Sequence, residues 1–495
     1  NGVPQVFRPR LKQTHKGSYT GYHLYENGLV TFVGYGGYGS FGNGRTDSLN
    51  DELACVFHDE SGTRLTGANY PKIKQMEFSN AHQGDHGPQS YYSVYMIDTN
   101  GFLYTMGYGG YGQLGNNSTN SNYFFKRIPK ASFNNADILY VHTSGYYYTS
   151  VYAIDSTGKL WGWGRNNYGQ LGLGNTSDQT TPQEITNVAG SQLLGKKVVH
   201  LQANQDDDDQ GKLWVLTTEG KIYFTGYLEN YGYSVGYYDP SNTYQTMPQL
   251  LTNSSTLWNS DNQKVVYFVT NNNRYSTLYM ITDGGTTGLK QKLYATGDNA
   301  YAQQGTATST SSNVSSSTQG SGVNNWFGKE IQFRDLGQDW NDQTNQNIVN
   351  ESFGNWSSFQ TGGSNAGKMK IGNIVKIMPK GYSGENANRV LMIDEFGQIF
   401  AAGYWYYDMA PNTEMDNETT RRTGPADNST DQHYSDSFYP IYNCPGVVKD
   451  FCHIGSTNSE DAWCVLTTAG EVYVGGEHSW NQSGAWFGGY HAFFR

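Results

Sequence analysis

The chain has 495 residues, a formal net charge of −11 and 15% charged residues, against 61 Gly and 40 Tyr. So sparse and negative a charge leaves no stripe to neutralise phosphates, which excludes a nucleic-acid partner. No apolar run approaches the ~20 residues of a membrane-spanning helix, so no membrane span is expected.

In chain order, Pro4-Gln5-Val6 reads as a Pro-led strand and Arg8, Arg10, Lys12 and Lys16 as a short basic run. A hairpin then starts at His23, with Val, Phe and Tyr runs on either side of Asn27-Gly28. The same pattern returns from Ser93, Ser150, Lys212 and Thr277, and in more degenerate form from Arg389 and Ala462. The copy at 150–174 is the clearest. It gives a strand at 151–154, a turn at Ser156-Thr157-Gly158, a strand at 159–163 and a Gly-bounded loop at 168–172.

A glycine closes the second strand of each copy: Gly34, Gly107, Gly164, Gly226, Gly297, Gly403 and Gly475. Apolar runs precede most hairpins, at 138–142, 198–202, 265–269, 374–378 and 447–452. Pro-led strands follow several, beginning at Pro182, Pro248 and Pro440. Seven units of about four short strands predict an all-β, seven-bladed β-propeller of four-stranded antiparallel blades with long loop insertions. One domain then covers 1–495, with a strand near 4–6 completing the last blade beside 485–495. Leu114 and Leu171 are expected between blades, and Trp161 and Trp163 on opposite sides of one strand. With Asn1 at the start, the chain is expected to be processed or part of something longer.

The Tyr-Gly-Gln-Leu-Gly loops at 111–115 and 168–172 follow hairpins such as AID-STG-KLWGWG. This pairing resembles the regulator-of-chromosome-condensation repeat family, whose members fold as seven-bladed propellers. The chain departs from the family where a Gly, two spacers and a His precede the hairpin. Gly455-Ser456-Thr457-Asn458 comes nearest, so functions tied to those histidines are not implied.

Three regions escape the repeat. The excursion at 306–370 opens with a Ser/Thr-rich run and then gains Trp326, Phe327, Phe333, Trp340, Phe353, Trp356 and Phe359. A flexible linker would not carry that many aromatics. A second insertion, 404–439, begins Tyr404-Trp405-Tyr406-Tyr407 and passes through Arg421-Arg422. Clustered aromatics on a propeller loop can stack on sugars or fill a protein hot spot. Tyr404, Trp405, Tyr406, Tyr407, Trp326, Trp340 and Trp356 are therefore the partner-binding candidates. The alternative for each is packing against the propeller. Third, Asp206 to Asp209 reads as a solvated acidic turn rather than a calcium loop, because liganding spacing is missing.

Cys452 and Cys464 fall on neighbouring strands and are expected as buried free thiols, with a disulfide as the alternative. No C-x-x-C spacing suggests zinc. The Gly-x-Gly-Gly-x-Gly strings at 34–39 and 107–112 open no helix, so a dinucleotide site is excluded. His82 and His86 flank Asp85 without a nucleophile motif, and His200 sits in a strand. No catalytic residue, metal or cofactor is expected. The reading is a non-enzymatic recognition or structural protein, outside the cell or on a virion surface. Its partners would be a host glycan or protein and other virion proteins, as for a phage tail fibre. The alternatives are an intracellular regulator, such as a guanine-nucleotide exchange factor for a small GTPase, and a propeller-type protein inhibitor.

Overall fold

The structure is a computed structural model that describes residues 10–16, 20–35, 48–79, 92–144, 148–204, 210–228, 241–251, 263–271, 276–285, 291–297, 304–305, 329–331, 333–334, 348–349, 359–360, 368–369, 372–380, 389–406, 432–440, 446–454, 462–477 and 490–491. It is an all-β, seven-bladed propeller of four-stranded antiparallel blades, with no α-helix among the described residues. None of its helical turns is long and apolar enough to cross a membrane. The chain forms two compact units, one of residues 1–227 with 244–251 and the other of 228–243 with 252–495.

The first unit holds four blades. Blade one is Leu11–Lys16, Thr20–Tyr25, Val30–Tyr35 and Ser48–Ala54. Blade two is Ile73–Phe78, Ser93–Asp98, Leu103–Gly107 and Asn122–Arg127, with Phe57–His58 added in parallel at the outer edge. Blade three is Ile138–Thr143, Ser150–Asp155, Leu160–Gly164 and Gln179–Glu184. Blade four is Val198–Asn204, Lys212–Thr217, Ile222–Tyr227 and Tyr244–Leu250.

The second unit holds the other three. Blade five is Val265–Thr270, Thr277–Thr282, Lys292–Gly297 and Lys329–Glu330. Blade six is Ile374–Lys380, Arg389–Asp394, Ile399–Tyr406 and Gln432–Pro440. Blade seven is Val448–Ile454, Ala462–Thr467, Val472–Glu477 and Tyr490–His491. Its outer strand comes from the C-terminal segment; Pro4 to Val6 lie outside the described residues.

The hairpins close on an aspartate. Asp155 Oδ1 accepts the N–H groups of Thr157 (2.8 Å) and Lys159 (3.1 Å), and Oδ2 accepts Trp161 Nε1–H at 2.9 Å. Asp98 and Asp394 hold their turns the same way. At the end of the third strand, Gly164 has φ +91, and a Cβ there would lie 2.5 Å from the Thr149 carbonyl oxygen. Only glycine satisfies both constraints.

Each first strand carries a β-bulge at its second residue, which turns that side chain outward. Ile138, Val198, Val265 and Ile374 are accordingly buried, while Leu139, Val199, Val266 and Val375 are exposed. Pro182 and Pro248 lie within their outer strands, at the register shifts opposite Gly162/Gly164 and Phe224/Gly226. An edge-strand bulge is where a residue without an N–H costs no ladder hydrogen bond.

Stacked blades bury both faces of their second strands: every residue of Ser93–Asp98, Ser150–Asp155 and Lys212–Thr217 is buried. Leu114 and Leu171 are fully buried as expected. Trp161 and Trp163 do not lie on opposite sides. Residues two apart share a strand face, and both rings pack on Phe133, at 5.5 and 6.0 Å between centroids.

Polar side chains link the first strands of neighbouring blades within each unit. Lys12 Nζ donates to the Lys74 carbonyl (3.0 Å), Lys74 Nζ to that of Ile138 (3.3 Å), and Gln75 Nε2 to that of Val141 (2.9 Å). In the second unit Lys376 reaches the Phe451 carbonyl in the same way, and Gln291, just before the third strand of blade five, reaches that of Ile374.

His15, also on a first strand, stacks flat on Phe78 with centroids 3.5 Å apart. Burial holds its pKa at about 4, below the ordinary 6.5, against the opposing pull of Glu77. An unfolded chain protonates this ring near 6.5, whereas the folded chain resists until about 4. Its stabilising contribution is therefore full above pH 6.5 and lost as pH falls from 6.5 towards 4. Denaturant melts across that window should show stability declining with acid, and His15→Phe, which keeps the stack, should flatten the decline. An unchanged slope in the variant would assign it to other groups.

Candidate functional site

After the glycine that ends the third strand, blades two and three each turn through a bolted loop. Gln113 and Gln170 are fully buried. Their Oε1 atoms accept the N–H of Tyr111 (2.8 Å) and Tyr168 (2.9 Å), two residues back. Their carbonyls are held in turn: that of Gln113 by the Tyr95 hydroxyl and Trp163 Nε1–H, that of Gln170 by the Tyr152 hydroxyl. Gly169, at φ +68, presses against the outer strand of blade four, where a Cβ would meet Thr246 Cα at 2.6 Å. The loop backbones are thus rigid, while Tyr111 and Tyr168 stand half-exposed at their tips.

The rings reach the next blade. Tyr111 meets Tyr148 edge-on at 5.0 Å and Tyr108 at 6.2 Å. The Arg165 guanidinium lies 4.9 Å from the Tyr111 centroid and 5.3 Å from that of Tyr148. Its Nη1 is anchored to Asp178 Oδ2 at 3.1 Å. One blade on, Tyr168 meets Tyr227 at 5.1 Å and Tyr244 at 6.2 Å. Burial, then the Tyr148 and Tyr108 hydroxyls, push the Tyr111 phenol well above its ordinary range. Tyr111 therefore stays a neutral phenol near neutral pH. Its chemistry is stacking, cation–π contact and hydroxyl hydrogen bonding. Among the described residues no group of three or more His, Cys, Asp or Glu could hold a metal ion.

The residues picked from the sequence fall differently. Tyr404, Trp405 and Tyr406 lie in the strand Ile399–Tyr406 rather than in a loop, opposite Tyr434, His433 and Gln432. Pairing carries this strand past Gly403, so the insertion begins later than 404. Tyr407, Trp326, Trp340 and Trp356 lie outside the described residues, as do Asp206 to Asp209, His82, Asp85, His86 and Gly455 to Asn458. The 306–370 excursion sends Phe333–Arg334 to the outer edge of blade six, in parallel register with Phe438, and Ile348–Val349 beyond it. Both inserted stretches thereby enter one six-stranded sheet.

Sequence reading picked Tyr407 but overlooked the other loop tyrosines, although a signal was present. The fourth residue after the strand-ending glycine is Tyr38, Tyr111, Tyr168, Tyr301 and Tyr407 in repeats one, two, three, five and six. Repeats four and seven place an aromatic one residue later, at Tyr231 and Trp480.

Two family profiles described as the regulator of chromosome condensation (RCC1) repeat match residues 157–203 and 142–170. The chain is 29% identical over 188 residues to the ultraviolet-B receptor UVR8 of Arabidopsis thaliana, covering 37% of each chain. It is 34% identical over 95 residues to the regulator of chromosome condensation of Xenopus laevis, covering 19% of this chain and 22% of that one. It thus spans well under half the length of these relatives. The fold is similar to yeast RCC1 (Prp20) solved with Kap60, at a TM-score of 0.54 and 14% identity over 100% of this chain and 90% of that one. It is also similar to Prp20p of Saccharomyces cerevisiae, at 0.52 and 13% over 96% and 86%. Residues 142–203 thus resemble regulator-of-chromosome-condensation repeats, and the seven four-stranded blades share the fold of the two yeast structures.

Proposed function

We propose that this chain is a non-enzymatic recognition propeller that binds a protein partner through the loop tips of blades two and three and the blade-four tyrosines beside them. The Tyr111–Tyr148–Arg165 cluster carries the proposal. Tyr and Arg are enriched in binding hot spots, and here they stand half-exposed on a preorganised backbone. The solved neighbours support a protein partner: one was crystallised with Kap60, and the other was studied for binding to Gsp1p and histones.

The aromatic stretch 404–407, with Trp326, Trp340 and Trp356, belongs to the proposal as a second contact area. Composition adds a setting, in which a virion-surface protein meets a protein or glycan on a host cell. The exchange-factor and inhibitor readings are the alternatives.

The test captures partners from the source with immobilised chain, then measures the affinity of each purified partner for wild type and for Tyr168→Ala. Trp405→Ala runs in parallel for the second area. A protein partner weakened by Tyr168→Ala supports the proposal. A ligand found only on a glycan array, or a protein indifferent to both substitutions, would overturn it.

A further inference from the structure

Cys452 and Cys464 are direct cross-strand partners in the first two strands of blade seven. Neither is deeply buried, contrary to the sequence expectation: Cys452 is exposed and Cys464 half-buried, and both are free thiols. The neighbouring residues fix their direction. Phe451 and Val465 are buried at 2% and 1% exposure, so the strand alternation sends both thiols to the opposite face of the sheet. There the two thiols are close enough for Cys452 to push the Cys464 pKa up, beyond the effect of burial. Directly opposed residues of an antiparallel pair have Cα atoms about 4.5–5.5 Å apart. A disulfide accepts Cα separations of roughly 4.4–6.8 Å, so the bond can form without moving the backbone. Cys55 differs: it is buried within an apolar core cluster just past the end of the strand Ser48–Ala54.

We propose that Cys452 and Cys464 form a redox-reactive dithiol whose co-reactant is a low-molecular-weight disulfide. The Cys452 thiolate attacks one sulfur of that disulfide. The S–S bond breaks, one small thiol leaves with the proton, and Cys452 carries a mixed disulfide. Cys464 then loses its proton and attacks the Cys452 sulfur, expelling the second small thiol. Two protein S–H groups are oxidised to one S–S bond while the small disulfide is reduced to two thiols. Exposure suits Cys452 to the first attack. Burial and the adjacent thiol push the Cys464 pKa up, which suits it to the second, resolving role. The product ties the first two strands of blade seven together.

The experiment incubates the full chain with glutathione disulfide, blocks free thiols by alkylation and maps the digested peptides by mass. The expected result is a cross-linked Cys452–Cys464 peptide pair, returned to two alkylatable thiols by dithiothreitol. Cys55 should stay unmodified until the chain is denatured. In Cys464→Ser, Cys452 should retain glutathione, because nothing resolves the mixed disulfide. If that variant fails to fold, the wild-type map decides alone. Stable glutathione on wild-type Cys452, a cross-link from Cys452 to Cys444, or two unreacted thiols would each overturn the proposal.

Discussion

Trp163→Ala is expected to cost about 3–5 kcal/mol of folding free energy, the usual range for deleting a large buried ring. Trp163 is completely buried in the core that blades two and three share. Its Nε1–H donates to the Gln113 carbonyl at 2.9 Å, and its ring meets Phe133. The alanine variant leaves a cavity and also removes one of two donors to that carbonyl, since the Tyr95 hydroxyl remains. Trp163→Phe keeps most of the volume and should lose less, about 1–3 kcal/mol for one lost hydrogen bond and the smaller ring. Equilibrium denaturation at fixed pH separates the two. A loss below about 1 kcal/mol for alanine, within the range of ordinary substitutions, would mean the blades do not depend on this contact.

The second large effect concerns binding. Removing either ring in the double variant Tyr111→Ala, Tyr168→Ala should cost about 2 kcal/mol or more of partner affinity, so each step weakens binding about 30-fold. The two rings contact different neighbours, Tyr148 with Arg165 in one case and Tyr227 with Tyr244 in the other. Their effects should therefore be close to additive. Arg165→Lys keeps the charge and loses the planar stack on two tyrosines, so affinity should fall even though the net charge does not change. Surface plasmon resonance on the captured partner, with melting curves alongside, distinguishes lost contact from lost fold.

The blade count was legible because a physical requirement repeats. A third strand that ends against a neighbouring carbonyl needs a glycine: a Cβ at Gly107, Gly164 or Gly226 would lie 2.1, 2.5 or 2.3 Å from the carbonyl oxygen of Tyr92, Thr149 or Gly211. Hairpins were legible for a similar reason, since Asp98, Asp155 and Asp394 each accept the turn's N–H groups. The first strands of blades one and two were not legible. In Leu11–Lys16 and Ile73–Phe78, Lys12, Lys74 and Gln75 donate to backbone carbonyls of the next blade. Those polar residues break the apolar pattern, so Lys12 and Lys16 read as part of a basic run. The bulge after each first residue further disguises the alternation.

The site was harder to see than the fold. Tyr111 and Tyr168 belong to the same Tyr-Gly-Gln-Leu-Gly string that marks the repeat. Gln113 and Leu114 of that string are structural, so the whole string reads as structural. Only the geometry separates the buried Gln and Leu from the half-exposed Tyr at the tip. The insertion at 404 drew notice because its aromatics are adjacent, yet three of them continue a strand.

Hydroxyl-radical footprinting of the chain, alone and saturated with its captured partner, tests the recognition claim most directly. The account predicts that oxidation of Tyr111, Tyr148 and Tyr168 falls several-fold on binding while the buried Trp163 stays unreactive in both states. Unchanged labelling of all three tyrosines, with protection confined to other blades, would contradict it.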